Sequence, residues 1–274
     1  MASERAALEV SVNEGVAEVV LRGPGKGNAL GPDFWAEMPA VADELDRDPA
    51  VRVVVVRGSG EHFTYGLDLQ AMGGLFAPLF NEAVPAAERL HLYEEVGRLQ
   101  RAFDRLAYGR KPVIGAASGW CVGGGVHLLA ACDMRLASSE ARFSLREVRL
   151  AITPDLGALQ RLPRLVGEGW ARRLAFTGEN IDAATALRIG LVDELFEGPA
   201  ALIEGARALA RSIADNPPLV VQGIKRVMNR AEPPALAQGL DYVALWNAAF
   251  LPSQDLAEGV AAAAQRRPPK FRGR

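Results

Sequence analysis

A chain of 274 residues, 49% hydrophobic and 23% charged, has a globular composition and excludes a disordered chain; at this length roughly 75% of the unfolded surface is buried on folding, so neither disulfide nor metal is needed. The formal net charge of -2 argues against a dedicated nucleic-acid binder, whose footprint is strongly basic. The two cysteines, Cys121 and Cys132, fit neither a zinc spacing nor a redox Cys-x-x-Cys and point to a reducing compartment.

Leu8 to Val12 alternates apolar and polar, Glu14-Gly15 is a turn, and Val16 to Leu21 returns, which predicts a hairpin. Pro32-Asp33 opens a helix with Phe34, Met38, Val41 and Leu45 on one face, and Asp48-Pro49 ends it. Val51 to Val56 reads as a strand buried on both faces. Residues 58 to 85 are irregular and glycine-rich. A long amphipathic helix over roughly 86 to 108 follows, then a buried strand at Pro112 to Ala117. Glycines at 119 and 123 to 125 lead into an apolar helix, Val126 to Ala131. Arg135 to Ala137 and Ala141 to Ser144 read as short strands. Strand, turn and helix thus recur, which predicts an α/β superhelix of repeated units. Beyond about 155 the chain reads as mostly helical. Asp182 is a predicted N-cap for Ala183 to Ile189, Gly190 closes that helix, and Leu191 to Phe196 is a last strand. Three or four helices, punctuated by Pro217-Pro218, Pro233-Pro234 and Pro252, fill 200 to 266, and a basic tail ends the chain. No apolar run approaches the 18 or so residues of a membrane span. The start, Met1-Ala-Ser-Glu-Arg, has no apolar signal core, and Phe271-Arg-Gly-Arg274 is not a peroxisomal address. A soluble cytoplasmic protein is the default expectation.

Ser118-Gly-Trp-Cys-Val-Gly-Gly-Gly-Val-His127 places three glycines between a strand and a helix. Glycine permits close backbone approach, and a helix start offers unpaired N–H groups and a positive dipole end. The segment is therefore either an oxyanion cradle or a tightly packed strand–helix junction. Its glycine phasing is not that of a dinucleotide fold, and Gly23-Pro-Gly-Lys-Gly27 lacks the ending of a P-loop. Ser118 has no nucleophile-elbow pattern. Phe63-Thr-Tyr-Gly-Leu-Asp-Leu69 is a second glycine turn, and the Leu67 N–H is a candidate second donor or part of a surface turn. Glu147 and Asp155 lie in mixed apolar sequence, where partial desolvation raises a carboxyl pKa toward the range of a general acid or base. The alternatives are a salt bridge of Glu147 with Arg146 or Arg149, and a helix cap for Asp155. His62, His91 and His127 show no metal-ligand spacing, so no metal is expected. His127 is either catalytic or structural.

Together these segments resemble the crotonase (enoyl-CoA hydratase/isomerase) superfamily over nearly the whole chain. The resemblance rests on Pro24-Gly-Lys-Gly-Asn-Ala-Leu30, Gly66-Leu-Asp-Leu69, Gly123 to Gly125 and Gly190-Leu-Val-Asp193. It implies a ββα spiral core over 1–199, for acyl-CoA binding and catalysis. It also implies a helical region over 200–274, for trimerisation and part of the CoA pocket. The backbone N–H groups of Leu67 and Gly124 take the oxyanion-hole positions. The sequence is most similar to the Δ3,5-Δ2,4-dienoyl-CoA isomerase branch, through Gly119 to Val126, Ala131-Cys-Asp133, Arg146-Glu-Val148 and Asp155 to Pro163. That similarity implies Glu147 as the base at C2 and Asp155 as the acid at C6. His127 stands where those isomerases carry an aspartate, and Tyr65 where the family has a small residue. Lys26, Asn28, Ala29, Leu30, Gly66, Asp68, Leu69, Lys270 and Phe271 take CoA-binding positions in the resemblance. The tail also reads as a solvated basic end.

The expectation is therefore an enzyme of fatty acid metabolism that shifts double bonds of a dienoyl-CoA through an oxyanion-stabilised thioester enolate. Its partners are an acyl-CoA substrate and copies of itself, as a trimer or a hexamer, without membrane or nucleic acid. No separate cofactor is expected, because coenzyme A enters as the thioester. The alternatives are a 2-enoyl-CoA hydratase in which Glu147 activates water, and a non-catalytic acyl-CoA binding protein.

Overall fold

The structure, a computed structural model, describes residues 5–81, 84–230 and 235–273, without the side chains of Lys26 and Ala235. Leu8–Asn13 (β1) and Val16–Leu21 (β2) form the antiparallel hairpin, with Asn13 opposite Val16. Glu14 and Gly15 turn it at φ 48° and 82°, the paired positive values that suit a two-residue hairpin loop. Pro32–Arg47 (α1) has its proline in the first turn, where the missing N–H costs nothing. Val53–Gly58 (β3) starts two residues later than the valine run, because the Val51 N–H is used in a turn onto the Asp48 carbonyl. A short helix, Gly73–Phe76 (α2), precedes the long Ala86–Tyr108 (α3). Val113–Ala117 (β4), Trp120–Val122 (β5) and Gly124–Ala130 (α4) follow, then Met134–Ser138 (β6) and Arg142–Ser144 (β7). Ala158–Thr177 (α5) bends at Gly167, and the two-residue strand Ile181–Asp182 (β8) leads into Ala183–Ile189 (α6). Asp182 caps α6 by accepting the Thr185 N–H, and Gly190 closes it at φ 82°. Glu194–Phe196 (β9) is shorter than the apolar run before it, since the Leu191 and Val192 amides bond back to Ala186.

The main sheet has the order β1-β2-β3-β4-β6-β9 and is parallel from β2 onward. β5, β7 and β8 make a second, three-stranded sheet. Alternation along β3 explains its valines. Val54 and Val56 face the large core with α1, α3 and α4, while Val53 and Val55 face a separate layer. Gly198–Ala214 (α7) supplies that layer through Leu202, Ala206, Ala210 and Ala214. A boundary at 199/200 thus falls inside the first turn of α7, and this helix belongs to the packing of the sheet.

Three helices complete the chain. Pro218–Arg230 (α8) is pinned by buried Lys225, whose Nζ donates to the Leu106 and Lys111 carbonyls and to Asp133 Oδ2 at 2.7 Å. Ala235–Phe250 (α9) packs along α3, and Gln254–Ala264 (α10) packs on the turn at Glu147–Leu150. These helices therefore find much of their partner surface within their own chain. No described helix is long and apolar enough to cross a membrane.

Candidate active site

A cavity of about 970 Å³ opens between the two glycine bends, α3, the Glu147–Leu150 turn and α10. Leu67, Gly124, Glu147 and Asp155 all line it, with Leu92, Val96 and Leu99 of α3 forming an apolar wall. Its mostly apolar lining, with a few polar groups, suits an apolar chain that carries one polar reacting end.

One side of the cavity is made of main chain. Gly66 sits at φ 82°, and a Cβ there would lie 2.6 Å from the Val122 carbonyl oxygen and 3.0 Å from the Gly124 nitrogen. Only glycine allows that bend and that approach. The bend is braced by Leu30, whose N–H donates to the Gly66 carbonyl and whose own carbonyl accepts from Asp68. Gly123, at φ 51°, turns β5 into α4. A Cβ built on Gly124 would lie 3.7 Å from the Leu67 nitrogen, so the two bends abut. Neither the Leu67 nor the Gly124 N–H has a protein acceptor among the described residues. The Gly124 amide is one of the orphan donors of a helix start, where the dipole also favours negative charge.

The other side is made of side chains. Glu147 forms no ion pair with Arg146 or Arg149; its Oε1 meets His127 Nε2 at 3.0 Å. Its Oε2 is buried without a hydrogen-bond partner. His127 is fully buried, and its Nδ1 accepts the Ala158 N–H at 2.9 Å. Nδ1 therefore carries no hydrogen, and Nε2 donates to Glu147. Asp155 does not cap α5, whose cap position is Gly157 with no side-chain acceptor. Its Oδ2 instead accepts from Asn247 of α9 at 2.7 Å. Burial pushes the Asp155 carboxyl up to about 6, against the opposing pull of the Asn247 hydrogen bond. The residue stands at the cavity edge rather than sealed from it.

Several of the remaining sequence-derived residues serve the scaffold. The Asn28 amide is buried and donates to the carbonyls of Ser59, His62 and Phe63, and its backbone carbonyl accepts from the Thr64 hydroxyl, so the residue holds its loop together. Asp68 accepts from the Gln70 and Ala71 amides. Leu30 is buried behind Gly124, Ala29 is part-exposed, and Leu69 lines the cavity. The side chain of Lys26 lies outside the described residues. Tyr65 lines the cavity, lies tilted against the His62 ring at 5.0 Å between ring centres, and covers Gly27. Lys270 and Phe271 do not line the cavity of their own chain: Lys270 borders a separate groove with Asp255 and Arg272, and Phe271 is exposed. The tail reaches the cavity through Arg266 to Pro269 instead. A bidentate pair of Arg267 with Glu258 holds it there. Sequence reasoning missed Asn247 and Gln100, which donates to the Asp155 carbonyl at 2.8 Å. Both lie far from Asp155 along the chain and carry no local signal. Among the described residues no group of three or more His, Cys, Asp or Glu side chains is placed to hold a metal ion.

Residues 11–274 match the family model described as enoyl-CoA hydratase/isomerase. The Dictyostelium discoideum protein named Delta(3,5)-Delta(2,4)-dienoyl-CoA isomerase, mitochondrial, is 42% identical over 97% of this chain and 90% of its own length. The Arabidopsis thaliana protein named Delta(3,5)-Delta(2,4)-dienoyl-CoA isomerase, peroxisomal, is 38% identical over 96% of this chain and 95% of its own. A crystal structure of an enoyl-CoA hydratase/isomerase from Pseudoalteromonas atlantica T6c superposes with a TM-score of 0.83 at 27% identity, covering 97% of this chain and all of that one.

Proposed function

Since the chain belongs to the enoyl-CoA hydratase/isomerase family and is an acyl-CoA-processing enzyme of fatty acid metabolism, we propose that its reaction is the conversion of a 3,5-dienoyl-CoA into a 2,4-dienoyl-CoA. The observation that carries this reading is a pair of unpaired main-chain amides lining one cavity with two carboxyl groups of different character. Glu147 Oε2 takes a proton from C2 of the thioester. Charge then spreads from the carbonyl oxygen along the conjugated chain to C6. The Leu67 and Gly124 N–H groups donate to that oxygen, each worth roughly 3–4 kcal/mol in the transition state. Asp155, with its pKa raised to about 6, holds a proton at mildly acid pH and delivers it at C6. One C–H bond breaks and one forms, two double bonds move, and a proton passes in net from Asp155 to Glu147 before solvent resets both.

The supporting surfaces fit a self-associating enzyme. Leu219, Val220, Ile224, Val227 and Met228 of α8, with Tyr242, Leu245, Trp246 and Phe250 of α9, are exposed apolar side chains, more than a monomer ordinarily leaves to water. A trimer, alone or paired as a hexamer, is the assembly proposed to cover them. In it the tails with Lys270 and Phe271 are offered to a neighbour's CoA. The free buried thiols Cys121 and Cys132 go with a reducing compartment, the cytoplasm by default; the two relatives are named as mitochondrial and peroxisomal proteins.

The test is turnover on a panel of CoA esters followed by absorbance of the conjugated 2,4-dienoyl thioester. Conversion of 3,5-dienoyl-CoA is the expected result. Rapid hydration of 2-enoyl-CoA with 3,5-dienoyl-CoA left untouched would overturn the reading in favour of a hydratase. Binding of both esters without turnover would overturn it in favour of a binding protein.

A further inference from the structure

Resting on that reading, we propose that His127 is a positioning residue that makes Glu147 a base with a single working oxygen. The imidazole has two committed nitrogens. Nδ1 accepts the Ala158 N–H at 2.9 Å, so the ring hydrogen is on Nε2, which faces Glu147 Oε1 at 3.0 Å. Oε1 is thereby occupied, and Oε2, buried and without a partner, is the atom left for the substrate. Gly123 keeps the place open: a Cβ there would stand 3.2 Å from Oε1. An aspartate at 127 would set a second carboxylate against Glu147 and share its proton. The histidine supplies a hydrogen instead, so Glu147 works without a competing acid.

His127 also does something structural. The Ala158 amide belongs to the first turn of α5, whose cap Gly157 offers no acceptor, so Nδ1 serves as a remote cap. Two replacements separate the roles. In His127→Asn the amide oxygen reaches the Nδ1 position, keeping the α5 bond and losing the donor to Glu147. In His127→Gln the longer amide reaches the Nε2 position, keeping the donor and losing the cap.

The experiment compares turnover of 3,5-dienoyl-CoA and thermal melting in both variants with the wild type. A positioning role predicts kcat down about a hundredfold in His127→Asn with KM changed less than about threefold, and kcat within about tenfold of wild type in His127→Gln. It also predicts that His127→Asn melts at the higher temperature of the two. Wild-type kcat in His127→Asn, or equal losses that follow melting temperature, would overturn it. Glu147→Gln tests the underlying reading separately, since full turnover there removes Glu147 as the base. Nitrogen NMR of the histidine rings near pH 7 reports on the inference whatever the turnover. A protonated Nε2 beside a bare Nδ1 supports it, and the opposite tautomer or an imidazolium refutes it.

Discussion

The two sides of the cavity are built by different means. The amide side consists of backbone at Gly66-Leu67 and Gly123-Gly124, fixed by bends that a Cβ would spoil. The acid side consists of side chains from distant elements: Glu147 after β7, His127 on α4, Asp155 before α5 and Asn247 on α9. The first is rigid because the sheet and α4 hold the main chain in place. The second is tunable, because one substitution changes who bonds to whom while the fold stays. A family that varies its chemistry on one scaffold is expected to keep the first side and alter the second. If the dienoyl-CoA isomerases carry an aspartate at this position, as the sequence resemblance implies, the histidine at 127 is such an alteration.

The largest effect that separates the two sides is expected on the acid side. Glu147→Gln should lower kcat by about 10⁴, the upper range for loss of a general base. Its dissociation constant for a non-reacting acyl-CoA should stay near that of the wild type, since the amides are intact. Calorimetric titration beside steady-state rates checks this, and weakened binding in proportion to rate would merge the two sides into one.

On the amide side, Gly124→Pro removes the donor and adds ring atoms, of which Gly124→Ala carries only the Cβ. Position 124 is the first residue of α4, where proline fits and no helical bond is lost. A fall in kcat/KM of about 10²–10³ is expected with little change in melting temperature. Gly124→Ala is the control, because its added Cβ meets the Leu30 side chain at 3.1 Å while the N–H remains. Equal losses in both variants would point to crowding rather than to the lost donor.

Smaller effects concern Asp155. Its carboxyl, raised from 3.8 to about 6 by burial, holds its proton below pH 6 and loses it above. The kcat/KM of the wild type should therefore fall as pH rises through about 6, and Asp155→Asn should abolish that limb at a lower overall rate. The same shift bears on stability. A pKa raised on folding favours the folded state at low pH and penalises it once pH passes the folded value. Asp155→Asn should thus melt above the wild type near pH 7, by about 1–2 kcal/mol after allowance for the cavity's water, and the gap should close toward pH 4. Melting curves at the two pH values decide it.

The legibility of the sequence followed the same division. The valine run of β3, the Asp182 cap, the hairpin at Glu14-Gly15 and the ends of α3 could be read because local patterns determine them. The glycine bends were visible for the same reason. β5, only three residues long and flanked by glycines, gave no periodic signal. Nor could the partners of the acids be read. Arg146 and Arg149 are adjacent in sequence to Glu147, yet its partner is His127, twenty residues earlier on another element. The Ala158 amide that fixes the imidazole, and the Asn247 amide that holds Asp155, meet them only through tertiary packing.

The most direct measurement follows hydrogen at C2 and C6 separately, by incubating the dienoyl-CoA in deuterated water with each acid variant. Asp155→Asn should place deuterium at C2 faster than it forms 2,4-dienoyl product, and Glu147→Gln should do neither. Wild-type isomerisation in Asp155→Asn, or C2 exchange that persists in Glu147→Gln, would contradict the division of labour between the two carboxyl groups.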